Sequence, residues 1–454
     1  MAGNAREVAL LTLSACDRQG AWSDLSLKKN IRAAGLDSRD AALATRLCFG
    51  VLQNRLLLDF YIGKFSTVKP ERMENKVLNA LRLGAYQMAF LTRVPVSAAV
   101  NESVDLVKRH SKNARSPGLV NGILRSMARN IDRLPTIPEE DPVSYLSVCY
   151  SHPEWLVKTF LEALGPVETE RLLVLDNGEP PTVAQVNRLR GTSEEVLASL
   201  RDEGAQAEPH PWLPDCLTLT GGGDVENLTA FREGRIYIQD AGARLAVLAA
   251  GPKPGMAVLD ACAAPGGKSF AAAIAMEDQG NLVSCDIHAH KKTLIDAGAK
   301  RLGITCLTAA VQDGKAHRAE WEGTFDLVMA DVPCSGLGII RKKPDIRYKD
   351  PAPLAGLPAV QAAILENVST YVKAGGVLLY CTCTLQTTEN EDIVITFLER
   401  HPEYTLEGFT LPGPVGEVPE GMVTLWPQRH GTDGFFFAKL RRRAEDICPP
   451  QNKD

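Results

Sequence analysis

Two cysteines stand apart from the other nine in this chain of 454 residues. Cys334 lies in Asp331-Val332-Pro333-Cys334-Ser335-Gly336, and Cys383 in Tyr380-Cys381-Thr382-Cys383-Thr384. Each follows a short apolar run with the character of a buried strand, residues 325–330 and 376–380. A third segment, Asp260-Ala261-Cys262-Ala263-Ala264-Pro265-Gly266-Gly267-Lys268-Ser269, follows another such run. An ionised thiol is a nucleophile, and glycines let backbone approach a ligand closely. In a parallel α/β sheet the carboxyl ends of the strands line the ligand crevice. The three segments are therefore expected at one site: a glycine loop for a cofactor, and two thiols for covalent chemistry.

The elements around them fit that expectation. From residue 251 onward, predicted strands at 257–260, 282–286, 304–309, 325–330 and 376–380 alternate with helices. Alternating units of this kind predict a mostly parallel, doubly wound, Rossmann-like sheet. A late pair of strands is expected near 404–406 and 435–440. Residues 4–133 instead carry apolar residues at helical spacing, at 5–16, 41–52, 75–91, 95–110 and 117–127, which predicts an all-α bundle. Asp37-Ser38-Arg39-Asp40 reads as a helix N-cap. Prolines at 135, 138 and 142 mark a linker. Residues 150–240 are mixed, with strands expected at 182–187, 217–219 and 235–239 and helices at 153–164 and 193–203, a small α+β subdomain. The Gly221-Gly222-Gly223 turn is expected to be flexible. The three parts are placed at 1–134, 145–240 and 241–445.

Charge is divided between them. Residues 1–134 hold 21 Lys and Arg against 11 Asp and Glu, a net of +10, and the remainder holds 29 against 44, a net of −15. A basic module joined to an acidic one points to polyanion binding by the first. Eleven scattered cysteines suit reduced thiols in the cytoplasm rather than a secreted disulfide framework. The start lacks a secretory signal, and no run of 18 apolar residues predicts a membrane span.

Other chemistries fit the motifs less well. Gly267-Lys268-Ser269 invites a phosphate-binding loop, but the first glycine of that motif would fall on Cys262. Zinc on Cys334, Cys381 and Cys383 lacks a fourth ligand at typical spacing, so no metal is expected. Cys381 reads as a small buried residue, and Cys16, Cys48, Cys149, Cys216, Cys285, Cys306 and Cys448 as structural or incidental.

The three motifs, in this order, resemble the RNA cytosine-C5 methyltransferases. The resemblance implies S-adenosylmethionine as cofactor, held by Cys262, Ala263, Ala264, Pro265, Gly266, Gly267 and Lys268. In this reading Asp286 meets the ribose, Asp313 lies near the adenine, and Asp331 also borders the cofactor. It implies that Cys383, of the Thr-Cys motif, is the nucleophile, that Cys334 assists product release, and that Asp331 binds the cytosine edge. Ile236-Tyr237-Ile238-Gln239-Asp240 resembles the family's VQD segment. Arg341-Lys342-Lys343-Pro344-Asp345-Ile346-Arg347 resembles its RRxPDI segment, with Arg341, Lys342, Lys343 and Arg347 expected on phosphates around a flipped nucleotide. Ala5-Arg6-Glu7-Val8-Ala9-Leu10, Leu81-Arg82-Leu83-Gly84-Ala85-Tyr86-Gln87-Met88, Val100-Asn101-Glu102-Ser103-Val104 and Gly118-Leu119-Val120-Asn121-Gly122-Ile123-Leu124-Arg125 resemble the NusB helical RNA-binding domain. The whole chain resembles the RsmB (Sun/Fmu) family of 16S rRNA cytosine-C5 methyltransferases, named for cytosine 967. That implies 16S rRNA as partner for a monomeric enzyme. The same chemistry at another rRNA or tRNA position, and an inactive RNA-binding assembly factor, are the alternatives.

Overall fold

The computed structural model describes residues 4–19, 21–220 and 225–444. The turn expected at Gly221–Gly223 and the incidental Cys448 lie outside these residues. The chain divides into two compact units, one of residues 1–179 with 340–349, the other of residues 180–339 with 350–454.

The first unit is helical. Ala5–Gln19, Ser23–Ala34, Ser38–Gln53, Arg55–Phe65, Asn75–Phe90, Val96–His110 and Ser116–Arg129 form a bundle. Asp37 caps the third helix by accepting from the Asp40 N–H at 2.8 Å, as the sequence predicts. Asn75–Phe90 is the central helix, buried without interruption from Val77 to Met88. A helix apolar on one side only could not be buried so completely. Gly84 is what lets its neighbours close in. A Cβ there would lie 2.6 Å from Leu124 Cδ1 and 2.7 Å from Ser103 Oγ. Arg82 on the same helix is buried and bonds both oxygens of Asp59 at 2.7 Å, with Asp17 at 3.4 Å. Removing one partner of such a buried pair costs about 3–5 kcal/mol, so this motif arginine is a structural fastener.

Two further helices, Pro142–Tyr150 and Glu154–Asp176, belong to this unit. The second is broken at Gly165, whose φ of +73° ends one helical run and starts another. The helices at 23–34 and 55–65 were not evident in the sequence. The first buries only Ser23 and Leu27 and the second is apolar on most sides, so neither shows one clean apolar stripe.

Among the described residues the second unit holds two main sheets and a two-stranded one. In the smaller, β1 (Thr182–Val186), β2 (Gln206–Pro209), β3 (Cys216–Thr220) and β4 (Ile236–Ile238) run antiparallel in the order β2-β3-β1-β4. Strand β2 ends on Pro209 at the sheet edge, where a missing N–H is tolerated. In the larger, β5 (Ala257–Asp260), β6 (Asn281–Asp286), β7 (Leu307–Val311), β8 (Phe325–Asp331) and β9 (Val372–Thr382) are parallel. They are joined by β10 (Tyr404–Leu406), β13 (Met422–Leu425) and β14 (Phe435–Arg442), while β11 (Phe409–Leu411) and β12 (Gly416–Val418) pair separately. The order is β10-β14-β9-β8-β5-β6-β7, and β14 lies antiparallel against β9, the late antiparallel strand that the methyltransferase resemblance implies. Strand β7 starts three residues later than predicted. The N–H groups of Thr305 and Cys306 donate to the Asp278 carboxylate, which holds that stretch as a turn.

This topology fixes where the site must be. The chain leaves β5 toward β6 and β7 on one side, then returns to β8 and β9 on the other. The switch in strand order at β5 and β8 opens a crevice beyond their carboxyl ends. No helix among the described residues is long and apolar enough to cross a membrane.

Candidate active site

The glycine loop follows β5 and leads into the helix Gly267–Ala275. Gly266 has φ +110°, a backbone conformation that disfavours any side chain, and a Cβ there would strike the Phe270 ring at 2.5 Å. A Cβ on Gly267 would press on Gln239 of the VQD-like segment at 3.3 Å. The loop is held by Ala263 N donating to the Cys285 carbonyl at 2.7 Å and Gly266 N to the Ala263 carbonyl at 2.6 Å. Beneath it, Ser269 donates to Asp260 at 2.6 Å and Ser284 bonds to Ser269 at 2.9 Å. Burial pushes the Asp260 carboxyl up to about 7, against the pull of the Ser269 hydrogen bond.

The acids expected at the next strand ends are in place. Asp286 ends β6, nearly buried, where Oδ1 accepts from His288 N at 3.0 Å and Oδ2 faces Lys291 Nζ at 3.5 Å. Asp313, beyond β7, is half-buried and closes a local turn by accepting from Lys315 N at 3.0 Å. The first-turn N–H groups of the Gly267–Ala275 helix, with their dipole, suit a ligand carboxylate, and the Asp286 carboxylate suits ribose hydroxyls. This donor set fits S-adenosylmethionine.

The two thiol loops meet on the other side of the switch point. Asp331 and Cys381 are register partners at the ends of β8 and β9. Cys334 lies three residues beyond the first and Cys383 two residues beyond the second. Their sulfurs are 3.2 Å apart, and the Cys383 N–H points to the Cys334 sulfur at 3.3 Å. Both are partly exposed. The Cys334 thiol is pushed well up, by its hydrogen bond with Cys383 first, then by burial and by the charges of Cys383 and Glu389. Gly338 packs where a Cβ would lie 2.0 Å from the Gly434 carbonyl oxygen, and its N–H donates to the Cys383 carbonyl at 3.0 Å. A Cβ on Gly338 would also lie 2.9 Å from the Cys383 carbonyl oxygen, so the loop of Cys334 closes over that of Cys383 because position 338 lacks a side chain.

Lys268 reaches across the crevice. Its Nζ is 2.7 Å from Asp331 Oδ2 and 4.7 Å from the centre of the Phe435 ring. Burial disfavours its charge, but the Asp331 carboxylate outweighs that and holds the ammonium. Cys381 is fully buried, with its thiol 3.6 Å from Asp331 Oδ1 and pushed well up by burial. Among the described residues no cluster of three or more Cys, His, Asp or Glu side chains is arranged for a metal.

The basic segment after Cys334 corrects one expectation. Arg347 is fully buried within the first unit, donating to Asn177 Oδ1 at 2.7 Å and to the carbonyls of Tyr150, Ser151 and Asp176 at 3.2–3.3 Å. It ties helix ends together and has no face for a phosphate. Arg341 bonds the Glu179 carbonyl. Lys343, half-buried, lies 3.5 Å from Asp24 and 5.3 Å from the Trp22 ring centre. Lys342 is half-buried in the same segment.

Residues that the sequence did not single out complete the site. Glu389 and Asn390 hold the two thiol loops, and Gln361 and Ser335 join them through hydrogen bonds. An acid-amide pair just before a helix is an ordinary N-cap pattern, so nothing in the sequence separates it from a cap.

The model of the family described as 16S rRNA methyltransferase RsmB/F matches residues 247–441, which carry the glycine loop and both thiols. The NusB family matches residues 3–129, and the RsmF/B-like ferredoxin-like domain residues 152–226. The chain is 37% identical over 447 residues to the probable ribosomal RNA small subunit methyltransferase B of Bacillus subtilis, across 96% of this chain and 98% of that one. It is 34% identical over 410 residues to ribosomal RNA small subunit methyltransferase B of Salmonella paratyphi B, across 89% and 91%. The crystal structure of PH0851 superposes with a TM-score of 0.80 at 25% identity, covering 97% of this chain and all of that one.

Proposed function

Since the chain belongs to the 16S rRNA methyltransferase RsmB/F family, we propose that it methylates carbon 5 of a cytosine in 16S rRNA through a covalent cysteine adduct. The target in this reading is the one for which the resembled family is named, cytosine 967. S-adenosylmethionine supplies the methyl group as an electrophilic sulfonium. The observation that carries the proposal is the pair of thiols 3.2 Å apart beside Asp331.

The chemistry requires two such groups. Carbon 5 of cytosine is a poor nucleophile. Addition of the Cys383 thiolate to carbon 6 forms a sulfur–carbon bond and leaves an enamine whose carbon 5 takes the methyl group. Release then needs the carbon-5 proton removed as the sulfur–carbon bond breaks, and Cys334 stands next to that bond. Asp331 binds the base edge at N3, where protonation draws electrons from carbon 6, and Lys268 keeps the carboxylate oriented. Asp286 holds the ribose of the cofactor, the helix at Gly267 its carboxylate, and Asp313 borders its adenine. Arg341, Lys342 and Lys343 remain the proposed phosphate contacts, joined by exposed basic side chains of the helical bundle such as Lys28, Lys29 and Arg32.

Bisulfite sequencing of 16S rRNA from a strain lacking the protein tests the assignment. Loss of one protected cytosine, restored by the wild-type gene and not by the Cys383→Ala gene, is the expected result. Protection lost at a tRNA or another rRNA position would relocate the target. Unchanged protection throughout would leave an assembly factor.

A further inference from the structure

We infer that the dipeptide Glu389-Asn390 is the positioning element that sets the two thiols against each other and gives them different roles. The inference rests on the proposed covalent reading of Cys383 and Cys334. Neither residue touches the reacting atoms. Each acts on the loop of one cysteine.

Asn390 grips the chain on both sides of Cys383. Its Oδ1 accepts from Thr382 Oγ1 at 2.6 Å, and its Nδ2 donates to the Thr384 carbonyl at 3.1 Å. Glu389 grips the other loop. Its Oε2 accepts from the N–H of Ser335, the residue after Cys334, at 2.9 Å, and from Gln361 Nε2 at 2.8 Å. Gln361 also donates to the Pro333 carbonyl at 3.0 Å, so the two residues flanking Cys334 are bound to one carboxylate network. The Glu389 carbonyl accepts from Tyr380 OH at 2.6 Å, which fixes the dipeptide to β9. Ser335 and Thr384 then join the two loops directly, Oγ to Oγ1 at 2.7 Å. All of these residues except Pro333 are buried. Gln361 Oε1 is left without a partner, but the other bonds tie both loops to one buried dipeptide and restrict their geometry.

The geometry also carries a charge asymmetry. The carboxylate lies behind the Cys334 loop and not behind that of Cys383. A nearby negative charge opposes a thiolate, so the carboxylate favours keeping the proton of the 3.2 Å pair on Cys334. The remaining titratable groups facing the pair do not cancel this. Asp331 is matched by Lys268, while Tyr380 and Cys381 are neutral, held so by burial. Two thiols in contact would otherwise compete for the same base carbon.

The test compares Glu389→Gln, Glu389→Asp and Asn390→Ala in the full-length protein. Limiting iodoacetamide, with peptide mapping, reads how alkylation divides between Cys383 and Cys334. Methyl transfer to a 16S rRNA transcript gives kcat and KM, calorimetry gives S-adenosylmethionine affinity, and a thermal melt reports folding. Glu389→Gln should shift the division measurably toward Cys334 and should lower kcat with cofactor affinity unchanged. Glu389→Asp keeps the charge but sits back from the Ser335 N–H. It should lower kcat while the division stays with Cys383, and it answers the question if the Gln variant does not fold. Asn390→Ala should lower kcat without moving the division. An unchanged division in Glu389→Gln, or an equal shift in Glu389→Asp, overturns the role of the charge. Wild-type kcat in Asn390→Ala overturns the positioning role. Turnover by Cys383→Ala would instead sink the underlying reading, independently of these outcomes.

Discussion

Lys268, from the first turn after the glycine loop, and Asp331, from the end of β8, form an ion pair with Nζ and Oδ2 2.7 Å apart. The pair ties the glycine-loop side of the crevice to the thiol side. It is also unequal, because the lysine side chain is 9% exposed and the aspartate 30%. Asp331→Asn therefore strands a buried ammonium, whereas Lys268→Met leaves a carboxylate that water can still reach. Denaturant unfolding should show the larger loss for Asp331→Asn, on the order of 3 kcal/mol, and a clearly smaller one for Lys268→Met. Equal losses would mean that the pair is solvated as a unit.

The two cysteines should fail in different ways. Cys383→Ala should abolish methyl transfer with cofactor binding intact, because no carbon–sulfur bond can form. Cys334→Ala should accumulate a covalent RNA–protein adduct, visible as a slow band on denaturing gels, because addition proceeds and release stalls. An adduct with Cys383→Ala and none with Cys334→Ala would exchange their roles.

Asp286 is tested by affinity alone. Hydrogen bonds from ribose hydroxyls to a carboxylate are worth roughly 1.5–3 kcal/mol, so Asp286→Ala should weaken S-adenosylmethionine binding by about one to two orders of magnitude. Calorimetry on the folded variant reads this directly. Unchanged affinity would remove Asp286 from the cofactor site.

The glycine loop, the two cysteine loops and the succession of core strands along the chain were legible because each depends on local pattern. Apolar runs of strand length end at Asp260, Asp286, Asp331 and Thr382, and topology does the rest. What was not legible depends on long-range partners. Arg347 sits in a basic run that reads as a phosphate contact, yet its guanidinium satisfies the ends of helices some 170 residues earlier. Glu389 and Asn390 read as a cap because the loops they bind are remote in sequence. Helix Ser23–Ala34 was missed for a third reason. Its N-cap, Trp22, makes no side-chain cap bond, and only Ser23 and Leu27 are buried along it.

The charge of the helical bundle is tested by substitution rather than deletion. Within the first unit Tyr348 OH donates to the Leu52 carbonyl at 2.8 Å and Lys349 Nζ to the Ala21 carbonyl at 3.3 Å, so removing the first 144 residues would strip residues 340–349 of partners in the unit they complete. Lys28, Lys29 and Arg32 are exposed on one helix. Replacing all three with Gln should weaken RNA binding and flatten its dependence on salt, since fewer counterions are released. Affinity measured across a salt series checks both. The same affinity and slope as wild type would take this helix out of the RNA-binding face.

Asp176 offers a pH test of the buried arginine network. Burial pushes its carboxyl from the ordinary 3.8 up to about 7, against the pull of Arg347 and Arg341, and its Oδ2 lies 3.4 Å from His152 Nε2. A carboxyl raised in the folded state binds a proton that the unfolded chain has already lost. Its contribution is therefore fully present below about pH 4 and declines as pH rises to about 7. Burial lowers the His152 imidazole, so its contribution runs the other way, present at high pH and lost as pH falls. Asp176→Asn removes only the first of these and keeps the side chain's size. The melting temperature of the variant, relative to wild type, should rise between pH 5 and pH 8 by a few degrees, roughly 2–4 °C for each kcal/mol. Parallel curves across that range would show that Asp176 ionises in the folded protein as it does in the unfolded chain.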